Sequence, residues 1–230
     1  MKYVLYNFAL CCRFIEEYDK SLVYAQRLIA LCSIENEFDV YISTTIIIYN
    51  CYLAKGDIDK AVQSYKEVIT KFKDETHPLL GYIYNNLGIS YTQLNQFDKA
   101  MEYLERSKNI RMLYDKHKLP YTLINIANLY IIQKDFEKAL ELANEVVALN
   151  EYINEQTLLL QAYEVFEDIY SIKKDYIKLE SVYKYMIEIL KVANDKNKLS
   201  KIGMKLSLLY INTNNVIKAK ECLESFLIKK

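Results

Sequence analysis

A lysine recurs six times at a near-constant interval: Lys20, Lys60, Lys99, Lys138, Lys178 and Lys218 stand 40, 39, 39, 40 and 40 residues apart. It brings its neighbours with it. The next residue is Ser21, Ala61, Ala100, Ala139, Leu179 or Ala219, and two residues ahead stands Tyr18, Ile58, Phe97, Phe136, Tyr176 or Val216. A further column with the same separations reads Cys12, Tyr52, Tyr91, Tyr130, Tyr170 and Tyr210. A period of this size marks an array in which no unit buries its apolar face alone, so neighbours must stack.

Each unit reads as two helices. In the third copy Tyr84, Leu87, Gly88 and Tyr91 lie on one helical face; after a break at Asn95-Gln96, Phe97, Ala100, Leu104 and Ser107 form a second. Asp57, Asp135, Asp175 and Asn215 stand where a cap residue accepts from the first free N–H groups of the second helix, and Gly56 suits the end of the helix before it. Only 4 Gly and 2 Pro occur in 230 residues, too few turn formers for a sheet protein of this length. Small residues at Ala9, Gly88, Ala127 and in the Ala column let paired helices approach closely. The expected fold is all-α: a right-handed α-solenoid of about six helix-turn-helix repeats with a period of 39–40. They form a single domain with copies at about 1–40, 41–79, 80–118, 119–158, 159–198 and 199–230.

Lys plus Arg and Asp plus Glu are both 30, so the segment lacks the surplus cation that direct nucleic-acid or anionic-membrane binding needs. The five cysteines form no CxxC pair, and the apolar uncharged run Val40–Ala54 is too short for a bilayer and reads as a buried core helix. A reduced, cytoplasmic chain with no metal and no cofactor follows. His77 and His117 fall in connections between units, and no nucleophile or phosphate-loop motif occurs, so no enzyme is expected.

The run Tyr84-x-x-Leu87-Gly88-x-x-Tyr91, followed by Ala100, Leu104 and Ser107, resembles the tetratricopeptide repeat (TPR), with Tyr84 in the usual Trp place. Tyr49 and Glu167 depart from it by filling the small position of their first helices, and Leu179 by filling the small position of its second. TPR units ordinarily repeat at about 34 residues. The longer units here, with stretches such as Lys73–Pro78 between them, resemble the bacterial peptide-pheromone receptors of the Rap, NprR and PlcR type; kinesin light chains share long units. The receptor resemblance implies first helices that wrap a short signalling peptide, with Asn side chains holding its backbone.

With the small residue as position 8 of the first helix, positions 2, 5, 6, 9, 12 and 13 face the groove. They carry Asn7 and Asn50 in the first two copies, Tyr82, Asn85 and Asn86 in the third, and Tyr121, Asn125 and Asn128 in the fourth. Glu164 and Asp168 follow in the fifth copy, and Lys201, Lys205 and Asn212 in the sixth. Seven of the 17 asparagines fall there, well above an even share. An amide offers donors and an acceptor together, which suits a peptide bond. Glu164 and Asp168 suit a basic end of a ligand, and Lys201 and Lys205 an acidic one.

The expected function is the peptide-binding sensor domain of a quorum-sensing transcriptional regulator; the alternative is a TPR scaffold for protein–protein interactions. The first helix begins at about Met1 with Tyr3, Val4, Leu5 and Phe8 already apolar. The chain therefore reads as part of a longer regulator, its first pair covered by an N-terminal effector domain or by a second copy in a homodimer. At the other end, Lys229-Lys230 suit a helix's negative pole.

Overall fold

The computed structural model describes residues 1–33, 37–72 and 74–226; the Lys229-Lys230 pair lies outside them. The described chain forms twelve α-helices in six consecutive pairs. The pairs are α1 (Lys2–Phe14) with α2 (Tyr18–Leu31), α3 (Phe38–Ala54) with α4 (Ile58–Ile69), and α5 (Pro78–Gln93) with α6 (Phe97–Tyr114). They continue with α7 (Leu119–Ile132) and α8 (Phe136–Ile153), α9 (Gln156–Lys173) and α10 (Tyr176–Val192), and α11 (Lys196–Asn212) and α12 (Val216–Phe226). Two compact units result, Met1–Asp115 and Lys116–Lys230. The uncharged run Val40–Ala54 lies within α3, whose Ile42, Ile47, Tyr49 and Cys51 are buried.

One turn joins the two helices of every pair. Glu16, Gly56, Asn95, Lys134, Lys174 and Asn214, again 39 or 40 apart, all adopt positive φ between 54° and 78°. The N–H of the following residue bonds back to the carbonyl of the Cys12/Tyr52/Tyr91/Tyr130/Tyr170/Tyr210 column at 2.8–3.0 Å. This is the left-handed helix termination that satisfies an orphan carbonyl. The cap aspartates then start the second helix: Asp135 and Asp175 accept from the N–H of Lys138 and Lys178 at 3.3 and 3.1 Å, and Asn215 from that of Lys218 at 3.3 Å. Asp57 does not cap; its carboxylate takes the Lys60 ammonium at 3.2 Å instead.

The invariant lysine belongs to the same turn. In five copies its ammonium lies 5.1–5.7 Å from the centre of the preceding Tyr ring: Lys60 on Tyr52, Lys99 on Tyr91, Lys138 on Tyr130, Lys178 on Tyr170 and Lys218 on Tyr210. A cation over an aromatic face contributes about 0.5–1 kcal/mol at exposed sites. The first copy has Cys12 where the ring would be, and its Lys20 pairs with Glu17 at 2.5 Å.

In the first five pairs, position 8 of the first helix is matched by a residue 16 further on: Ala9 and Ala25, Tyr49 and Tyr65, Gly88 and Leu104, Ala127 and Ala143, Glu167 and Tyr183. All ten are buried. A Cβ on Gly88 would stand 2.5 Å from Leu104 Cγ, so Leu104 occupies the space a methyl would need. The Tyr49 and Tyr65 rings stack 3.9 Å apart. The two departures noted at this position are therefore matched from the second helix by a tyrosine.

Candidate functional site

The groove-facing register distributes its residues over both units. In the first, Tyr82, Asn86 and Asn50 are half-buried and Asn7 is exposed, while Asn85 is turned inward at 7% exposure. Behind them, the Tyr49 hydroxyl donates to the Asn86 carbonyl at 2.9 Å and lies 2.7 Å from Ser90 Oγ, tying α3 to α5. Burial pushes the Tyr49 phenol up to about 12, and that of Tyr65, close to Tyr82 and Asn86, well above its ordinary range. Buried Arg111 is drawn down to about 10 by desolvation. A cavity of about 470 Å³ opens between α1 and α3, lined by Tyr3, Tyr6, Asp39 and Ser43 among others.

In the second unit Asn125 is half-buried and Asn128 exposed on α7. The Tyr121 hydroxyl donates to the Glu155 carboxylate, and the Lys118 ammonium lies 5.1 Å from the Tyr121 ring centre. Asn212 is exposed at the end of α11. Glu164, Asp168, Lys201 and Lys205 all line one cavity of about 330 Å³ between α9, α10 and α11, together with Glu167, Lys198 and the apolar Leu160, Met186, Leu190 and Ile202.

Glu167 sets the character of that cavity. It is only 9% exposed, and its Oε1 accepts from Lys205 Nζ at 2.5 Å and from the Tyr183 hydroxyl at 3.1 Å. Desolvation, followed by the charge of Glu167, pushes Tyr183 far up. Lys205 is thus held by the protein's own carboxylate. Among the described residues Glu164 and Asp168 form no ion pair; partial desolvation in the cavity wall, then the nearby Glu167 charge, pushes both carboxyls above their ordinary range. In the sequence Glu167 reads only as a departure from the small position. The signal was available: a carboxylate in a packing column needs a cation within reach, and Lys205 is one repeat on.

Among the described residues no group of three or more His, Cys, Asp or Glu could hold a metal ion, and no helix is long and apolar enough to cross a membrane. His77 caps α5, its Nδ1 accepting from the Leu79 N–H at 3.2 Å, with its ring edge-on to Phe72.

One tetratricopeptide-repeat family model matches residues 44–112 and another residues 120–152. Residues 44–112 and 120–152 are thus TPR repeats. The fold of the chain, the right-handed α-solenoid of helix pairs expected from the sequence, is shared by BtubC from P. vanneervenii (TM-score 0.74, 19% identity, 93% of this chain and 88% of that one). It is also shared by the apo quorum sensor NprR from B. thuringiensis (TM-score 0.73, 17% identity, 98% and 64%). A third solved neighbour is a Rap protein complexed with Competence and Sporulation Factor (TM-score 0.61, 15% identity, 98% and 76%). At these identities the likeness is one of fold. By sequence, the chain is 31% identical over 101 residues to the BBSome complex member BBS4 of Bos taurus, covering 44% of this chain and 17% of that protein. It is 25% identical over 128 residues to the transcriptional activator NprA of Geobacillus stearothermophilus, covering 55% and 31%. The chain thus spans less than a third of the length of either relative.

Proposed function

We propose that this chain is a peptide-binding sensor segment of a quorum-sensing type regulator, working in the cytoplasm without enzymatic activity of its own. The observation that carries the reading is the cavity in the second unit. Four charged residues picked from the groove register converge on it, and Asn125 and Asn128 stand at the equivalent register of α7 in the same unit. Mixed charge over an apolar floor suits side chains of a short peptide, while amides suit its backbone. The fold likeness to NprR and to a Rap protein complexed with Competence and Sporulation Factor, and the partial match to the activator NprA, support the same direction. Such a segment acts on an output domain or partner; direct nucleic-acid contact is not expected from a neutral chain. The scaffold reading draws on the BBS4 match.

Titrating peptides of about five to ten residues against the chain separates the two, because a scaffold needs a larger surface. Replacing Asn86 or Asn128 by Ala is expected to weaken peptide binding by about 1–3 kcal/mol per lost backbone-pairing group, with helicity intact. Unchanged affinity in both variants would show that these amides merely face water.

A further inference from the structure

The residue just ahead of the invariant lysine is acidic in four copies, Asp19, Asp59, Asp98 and Glu137, all exposed at the start of the second helix. In the last two copies it is Ile177 and Ile217, and both are left in water, 82% and 75% exposed. Their neighbours Tyr176 and Val216 are 42% and 71% exposed. The two turns are adjacent: Tyr210 donates to the Glu180 carboxylate of α10 at 2.9 Å, and Lys218 of α12 stands 3.7 Å from the same group. Repeats five and six therefore present exposed apolar residues, on adjacent turns, where the earlier copies present acids.

The charge around the patch is mainly positive. Residues 172–178 carry Lys173, Lys174 and Lys178 against Asp175, and residues 211–220 carry Lys218 and Lys220; Glu180 stands 3.7 Å from Lys218 and Glu224 3.8 Å from Lys220, so Lys173 and Lys174 are the two without an acid partner among the described residues. Asp175 is already spent on the Lys178 N–H at 3.1 Å and its ammonium at 3.7 Å. Lys173 lies over Phe136, Lys178 over Tyr170 and Lys218 over Tyr210, so three of the cations are held in place. Exposed apolar patches rimmed by charge mark interaction surfaces. We infer that the turn edge of repeats five and six docks an acidic segment of a partner protein, its aliphatic side chains on Ile177 and Ile217 and its carboxylates on Lys173 and Lys174. The apolar residues are mainly β-branched, with no Trp, Phe or Leu to insert between lipids, which favours a protein over an anionic membrane. This surface is separate from the proposed peptide cavity and does not depend on it.

The test pans a displayed library of 16-residue peptides against the full chain and re-measures the enriched sequences, as synthetic labelled peptides, on I177D/I217D. That variant restores the acid the other copies carry. The expected result is enrichment of peptides with Asp or Glu beside Leu, Ile or Val, binding at least ten-fold more weakly to the variant while far-UV circular dichroism is unchanged. Should that variant lose helicity, the surface charge reversal K173E/K174E decides by the same criterion, since Glu16 already stands at the turn position of Lys174 in the first copy. No enrichment, an enriched set without excess acid, or equal binding to wild type and variant would overturn the inference. So would co-sedimentation with phosphatidylserine vesicles that the variant abolishes when no peptide is enriched.

Discussion

Glu167 occupies the place that Ala9 and Ala127 hold in other copies, and its carboxylate survives burial because Lys205 and Tyr183 meet it. Removing the cation while leaving the acid is expected to be costly, softened because the Lys205 side chain is 37% exposed. Lys205→Met should lower stability by about 1–3 kcal/mol in urea unfolding, and Glu167→Leu combined with it should recover part of that loss. Glu164 and Asp168 predict a pH dependence of definite sign. Their folded carboxyl pKa values are raised, so over the window from the unfolded carboxylate range upward the native state holds more protons and stability falls as pH rises. E164Q/D168N should therefore be more stable than wild type at pH 7, with the gain vanishing at pH values where both states are protonated; urea midpoints across that range measure it. The four charged residues were readable from register alone. The neutralisation of Lys205 was not, because it depends on Glu167, a residue the repeat pattern assigns to packing.

Helix pairing was the most legible feature, since the columns repeat in every copy. The turns were less so. Glu16, Lys134 and Lys174 adopt a left-handed conformation that ordinary side chains disfavour by about 1–2 kcal/mol, so their identities do not advertise it; only Gly56 and the asparagines do. Lys134→Gly is accordingly expected to raise stability, by at most about 1 kcal/mol because glycine also loosens the unfolded chain. Close packing gives the opposite case. Gly88→Ala would drive a methyl into Leu104 and should cost about 1–3 kcal/mol. Leu104→Ala in the same chain should relieve most of that clash, because Ala9 with Ala25 and Ala127 with Ala143 already form working pairs. A double-mutant cycle on thermal midpoints reads the coupling; additive losses would show that the two positions do not share space.

At the scale of the molecule, the packing separates into Met1–Asp115 and Lys116–Lys230, a division that an unbroken 39–40 residue period does not reveal. Tyr49→Phe in the first unit removes the hydroxyl that meets the Asn86 carbonyl and Ser90 Oγ, an expected loss of about 1–2 kcal/mol. Since Tyr49 and Lys205 share no partner, the two losses should add to within about 0.5 kcal/mol in chemical unfolding.

Tyr49 and Glu167 also make the copies non-interchangeable. Each sits at position 8, and each reaches position 6 of the following first helix: Asn86 through its carbonyl, Lys205 through its ammonium. Copy five thus needs a cation in its successor. Permuting the units, so that copy three followed copy five, would set the buried Glu167 carboxylate opposite an asparagine. The written order of the six hairpins is part of the information that folds them, and recombination that shuffles whole repeats will be tolerated at some junctions and lethal to packing at this one.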